Sequence, residues 1–120
     1  MLTKTDLDQF CGSENLYRRS TLTYTDGIKY LADRAQCHWL LDAIVSHIST
    51  VKQTPRLNEF GIWELTIAND NSATLAFYGD SGEPPAIVQR IPYTDFADYC
   101  DVNPLKLYQQ NGTLLLPSEY

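Results

Sequence analysis

Two histidines, three cysteines and a scatter of carboxylates are the groups in this 120-residue chain with the chemistry to act on something. His38 and His47 both fall in residues 27–50, GIKYLADRAQCHWLLDAIVSHIST. Nine residues of continuous helix rise about 13.5 Å, so the two imidazoles do not ligate one ion there. His38 and Asp42 stand at i, i+4 as a surface pair. His47 instead shares an apolar arc of roughly 140° with Leu40, Ala43, Ile44, Ile48 and Val51. Two roles are open to it: a core or rim histidine donating to a backbone carbonyl, or a general base in a pocket with Trp39 and a carboxylate. Cys11, Cys37 and Cys100 are widely spaced, with no CxxC pair and an odd count, which reads as reduced thiols. Cys37 or Cys100 could meet His47 in space as a nucleophile, but nothing beside either thiol signals activation, and no zinc-ligand spacing is present.

Gly79-Asp80-Ser81-Gly82-Glu83-Pro84 resembles the stretch around the nucleophile of chymotrypsin-like serine proteases. The likeness stops there. That chemistry needs a histidine and a buried aspartate held between two barrels, which this length does not supply, and Glu83 stands where the oxyanion loop has glycine. The segment is expected to be a loop, and no catalytic residue is assigned. Asp95, Asp98 and Asp101 stand at i, i+3 and i+6, the spacing of one side of a short acidic helix. With Asp70 or Asp80 they could attract a divalent cation, but there is no EF-hand loop, and no metal or cofactor is expected. Tyr93 precedes these acids and Tyr99 falls between Asp98 and Asp101. Tyrosine offers a large contact area at low entropy cost, so Tyr93, Tyr99, Asp95, Asp98 and Asp101 form the candidate binding surface. His47 and Trp39 form the alternative pocket.

The elements that must position these groups follow from periodicity and punctuation. Thr5 opens a short helix that Gly12 stops, and residues 16–24 read as a strand, at an edge or starting after Arg19 because Arg18 breaks its face. Thr25-Asp26-Gly27 caps the central helical stretch, which breaks near residues 35–37 into two helices. Residues 52–58, containing Pro55, read as a linking loop. Residues 60–68 and 73–78 alternate around Asn69-Asp70-Asn71-Ser72, the pattern of a β-hairpin, with Leu75 and Phe77 in register with the first strand. A third adjacent strand spans 86–91, a short helix 96–100 is capped by Thr94 or Asp95, and Asn111-Gly112 turns a last hairpin into an apolar run at 113–116. The tail behind that run is expected to dock, because the run must be buried.

The totals set the class. With 43% hydrophobic and 20% charged residues the chain reads as one globular α+β domain over residues 1–120, and no apolar run spans a membrane. The first residues lack a signal-peptide core, which points to the cytoplasm. Residues 1–56 carry seven basic against six acidic side chains, residues 57–120 two against nine. The acidic half disfavours direct nucleic-acid binding and favours a basic protein partner.

Tyr24-Thr25-Asp26-Gly27 with Lys29-Tyr30-Leu31-Ala32, Trp39-Leu40 with Asp42-Ala43-Ile44, Tyr93-Thr94-Asp95-Phe96, and the ending Leu114-Leu115-Leu116-Pro117-Ser118-Glu119-Tyr120 form a pattern across nearly the whole chain. It resembles an uncharacterised family of short bacterial proteins, often from phage- or plasmid-rich genomes. The resemblance implies a stand-alone domain of mobile-element origin and brings no catalytic residue.

The expectation is therefore an antiparallel sheet of four to six strands with two consecutive helices packed on one face. Its function is that of a small, soluble, acidic protein-binding module, such as a mobile-element-encoded inhibitor or adaptor that occupies a basic surface. The alternatives are a small enzyme or ligand-binding protein with its pocket at His47, and a self-associating structural protein.

Overall fold

Alternation in the middle of the chain builds the sheet's centre. The computed structural model describes residues 1–11, 15–80 and 82–120, so Gly12 as a helix stop and Ser81 lie outside the described residues. Strands β3 (Gly61–Ile67) and β4 (Ala73–Tyr78) pair antiparallel as the sequence predicts, with Trp63 opposite Phe77 and Leu65 opposite Leu75. The turn between them closes on Asn71, whose positive φ of 65° suits asparagine, and Asp70 accepts from the Ser72 amide and hydroxyl. β5 (Ile87–Ile91) adds beside β4 as the third strand. β6 (Leu105–Gln110) pairs the other side of β3. Beyond that ladder the Asn103 side chain continues the pairing, accepting from Ile67 N–H and donating to its carbonyl at 3.0 and 2.9 Å.

Two further elements differ from expectation. Residues 16–24 are not one strand but a hairpin, β1 (Leu16–Arg19) and β2 (Leu22–Thr25), turned at Ser20 with φ 54°. The short strand β7 (Thr113–Leu115) then lies between β6, antiparallel, and β2, parallel, so among the described residues seven strands form one mixed sheet in the order β1-β2-β7-β6-β3-β4-β5. This corrects the antiparallel sheet of four to six strands. Three residues of β7 join the hairpin to the rest, a long-range pairing that local periodicity does not encode.

The helical layer is also longer than two helices. α1 (Lys4–Asp8) starts two residues earlier than expected, because Thr3 rather than Thr5 is its N-cap and forms a capping box with Asp6. α2 (Asp26–Arg34) is capped by Thr25, as the sequence indicates. It ends in a Schellman turn: Gln36 takes a left-handed φ of 50°, and Cys37 N–H donates to Ala32 O at 3.0 Å. α3 (His38–Val45) is separated from α4 (Ile48–Lys52) by a second break, where the Ser46 hydroxyl donates to Ala43 O and His47 N–H to Ile44 O. Residues 52–58, expected as a loop, contain α5 (Pro55–Glu59), with proline in its first turn where no amide partner is needed. α6 (Phe96–Tyr99) is a single turn before β6, with Thr94 Oγ1 accepting from Phe96 N–H.

Between the layers lies a core built around Trp63, Phe77, Leu65, Leu75, Ile44 and Leu40, all essentially inaccessible. Each such side chain contributes about 1.5–3 kcal/mol by leaving water. Gly61 leaves room for the Phe77 ring, which a Cβ there would strike. Trp63 Nε1 donates to Gln109 Oε1 at 2.7 Å, which fixes the amide's orientation and leaves its buried Nε2 without a partner among the described residues. On the sheet's other face Phe60, Tyr108 and Tyr120 meet in a triangle of ring contacts with centroids 5.2 to 5.3 Å apart.

The expected docking of the tail is observed, and Glu119 carries it. Its carboxylate accepts from Thr25 Oγ1 at 2.7 Å, Leu116 N–H at 3.0 Å and Gly27 N–H at 3.3 Å. A Cβ on Gly27 would sit 2.5 Å from Glu119 Oε1 and 2.7 Å from Leu116 Cδ1. Removing the carboxylate in Glu119→Ala is expected to cost about 1–3 kcal/mol in urea unfolding, since it strands three donors. Gly27→Ala should cost a comparable amount, and the double variant less than the two together, because the deleted carboxylate no longer meets the new methyl. Gln36→Gly should go the other way and stabilise by about 1 kcal/mol, because it relieves the left-handed strain.

Candidate cleft at the end of the sheet

His38 is part of a surface network rather than a simple pair with Asp42. Arg19, on β1, reaches across to donate to His38 O at 3.0 Å and Asp42 Oδ1 at 3.2 Å, while its other nitrogen meets His38 Nδ1 at 3.1 Å. A guanidinium only donates, so Nδ1 is the acceptor and Nε2–H donates to Asp33 Oδ1 at 2.8 Å. Asp33 also takes Lys29 Nζ at 2.7 Å, and this bond with Lys29, seconded by His38, holds its carboxyl below the usual range. The network ties the edge hairpin to the helical layer.

His47 stands at the break between α3 and α4, half-buried, with Nε2 2.7 Å from Gln89 Oε1 on β5 and its ring 6.0 Å from that of Trp63. The amide oxygen accepts, so Nε2 carries a proton. The partner is a side-chain amide, not the backbone carbonyl expected of a core histidine and not the carboxylate or thiol that a general base would need. Cys37 is buried, donates its S–H to Leu31 O, and is pushed up to about 12 by burial and then by nearby Cys100. Burial likewise raises Cys100. Neither thiol is activated. Among the described residues no three His, Cys, Asp or Glu side chains gather so as to hold a metal ion.

The acidic residues are arranged differently from the single helical face expected. α6 is only four residues long, so Asp95 precedes it, Asp98 lies on it, and Asp101 follows it, with its amide bonded to Leu2 O at 2.9 Å. Asp98 and Asp101 are exposed. Tyr99 packs against the core and its carbonyl accepts from Leu2 N–H, which makes it a structural residue. Tyr93 is the opposite case, 66% exposed.

What the fold brings together is Trp39 with Tyr93 and Asp95. With Ile91 and Thr94 they line an open cleft of about 400 Å³ where β5 ends against α3. Two of the five residues of the expected binding surface, Tyr93 and Asp95, and one member of the expected pocket, Trp39, thus share one place. His47 is not in that lining, nor are Asp98, Asp101 and Tyr99. Ile91 was missed by sequence reasoning. Its signal was the alternation of Ile87, Gln89 and Ile91, which puts all three on the helix-covered side of the last strand.

In the loop after β4, Arg56 bonds Glu83 at 3.1 Å, and Ser81, at the centre of the stretch that resembles the protease nucleophile loop, lies outside the described residues. Among the described residues no helix is long and apolar enough to cross a membrane.

A family model matches the chain over residues 1–120. The chain belongs to DUF6876, a family of unknown function. No curated protein and no solved structure matches it. Membership in DUF6876 supplies no reaction, so the cleft's chemistry has to stand on its residues: two aromatic side chains, one aliphatic and one carboxylate, suited to holding a side chain that is apolar along its stem and cationic at its tip.

A thiol reagent at pH 8 should modify Cys11 in the native protein and leave Cys37 and Cys100 untouched until denaturant is added, when the count rises from one to three. Fast native labelling of either buried thiol would contradict the packing described.

Proposed function

We propose that the protein is a small acidic binding module that occupies a basic surface of a partner protein, as an inhibitor or adaptor does, with the Trp39, Ile91, Tyr93 and Asp95 cleft as its anchoring point. The observation that carries this is Tyr93: a large aromatic side chain left 66% exposed beside half-buried Trp39, at the rim of a cleft that also presents a carboxylate. Exposed aromatics next to a concave site are the residues that dominate interface energies when truncated. Asp95, Asp98 and Asp101 form no ion pair among the described residues, whereas Asp8, Asp33, Asp42 and Glu83 are each matched within the chain. Exposed acids on the same surface of an acidic chain, with Asp95 in the cleft itself, favour a cationic partner and speed its approach. The cleft is smaller than a full interface, which buries about 800 Å² per partner, so it serves as the anchor of a wider contact.

A pocket at His47 has less support, because that ring uses its N–H on Gln89 and its face on Trp63. Capture from a host lysate compares the two. Reversing charge at Asp95, Asp98 and Asp101 to lysine, or cutting Tyr93→Ala, should reduce the retained partner by about tenfold or more. Undiminished capture of every partner by both variants would remove the proposal.

A further inference from the structure

Among the described residues β5 ends the sheet, with a neighbouring strand on one side only. Ile87–Ile91 pairs with β4, and among the described residues its backbone makes no other hydrogen bond. The strand runs directly into the cleft, since Ile91 lines it and Tyr93, Thr94 and Asp95 continue from the strand's end. Val88, its second residue, is 60% exposed. Five residues of free edge offer about 17 Å for a further strand laid about 4.8 Å away.

We infer that the outer edge of β5 accepts an extended segment of the partner, bearing Arg or Lys, as an eighth strand whose basic side chain enters the cleft between Trp39 and Tyr93 and meets Asp95. This rests on the binding role proposed above and specifies how the partner is held. Backbone pairing along Ile87–Ile91 gives affinity without sequence demand, and the cleft at the strand's end supplies the selection, the division of labour seen when strands add to sheet edges. A guanidinium also stacks on aromatic faces, which fits the two rings.

Charge decides among the occupants. A second copy of the chain carries the same net charge of −6, so edge-to-edge pairing of like with like is opposed. At the sheet's far end β1 likewise pairs on one side only among the described residues, but it carries Arg18 and Arg19, which repel a basic segment. Arg90 of β5 lies in register with Thr74 on the opposite face from Ile91, away from the cleft. Pro84, Pro85 and Pro92 flank the strand and confine pairing to its five residues, which limits non-specific addition.

The test selects random dodecapeptides displayed on phage against the full chain, then measures amide hydrogen exchange with a selected peptide bound. The expected result is enrichment of peptides rich in Arg or Lys, loss of their binding in Tyr93→Ala and Asp95→Lys, and slowing of exchange within Ile87–Ile91 by about tenfold or more. Basic peptides that need Tyr93 and Asp95 but leave exchange in β5 unchanged would overturn strand addition while sparing the cleft as the anchor. Selected peptides that are not basic, peptides indifferent to both substitutions, or no selected peptide at all would overturn this inference together with the reading it rests on.

Discussion

The carboxylate of Glu119 reaches back across 94 residues of sequence to the hydroxyl of Thr25, and the architecture depends on that closure. It meets α2 at its first turn, where unpaired amides favour a negative charge, and it accepts from Gly27 because glycine alone leaves the space. The same carboxylate bonds the amide of Leu116, just past β7, and so fixes where that strand ends. β7 is three residues long and would not persist alone. Held by Glu119 at one end and by the Asn111-Gly112 turn at the other, both residues of which take positive φ, it fuses the β1–β2 hairpin to the main sheet.

The helical layer adapts to this sheet by being broken. Instead of one straight rod, residues 26–59 form four short helices that turn at Gln36, at His47 and before Pro55. Each turn is secured by a different device: a Schellman closure, a histidine bonded to β5, and a proline that starts the next helix. The second of these sets the cleft's position. His47 fixes the far end of α3 to Gln89, which leaves Trp39, near the start of that helix, beside Ile91 at the end of the same strand. His47 thus orients the site without lining it.

Much of the sheet was legible locally. Trp63, Leu65 and Ile67 alternate with polar residues, Asn69-Asp70-Asn71-Ser72 can only turn, and the partner register followed. The capping of α2 by Thr25 and the break at residues 35–37 were equally visible. The parallel pairing of β2 with β7 was not, because it rests on Thr23 and Tyr24 meeting Thr113 and Leu114 far along the chain, and three-residue strands carry no period of their own. α5 was hidden because Pro55 punctuates a loop and starts a helix with equal ease. For the cleft, Trp39, Tyr93 and Asp95 were all singled out, but under two separate ideas. Nothing in one-dimensional spacing indicates that residue 39 and residue 93 are neighbours. Tyr99 misled for a related reason: a tyrosine at a helix end packs inward or outward according to its neighbours, and here the isolated bridge between Leu2 and Cys100 draws it in.

The placement of β7 also bears on how the chain reaches this structure. The β3–β4 hairpin and its neighbour β5 involve residues close in sequence and can assemble early, at little cost in loop entropy. The β2–β7 join and the Glu119 closure must wait until both ends of the chain have been gathered, so they are formed last and reward the chain only once most of its disorder has been surrendered. By the same reasoning the β1–β2 hairpin, which among the described residues joins the sheet through β7 and the helical layer through Arg19, depends on long-range pairing for its place. The cleft lies at the opposite end of the sheet, on strands whose pairings are local in sequence. A partner held as proposed would therefore meet the part of the sheet that needs no long-range closure.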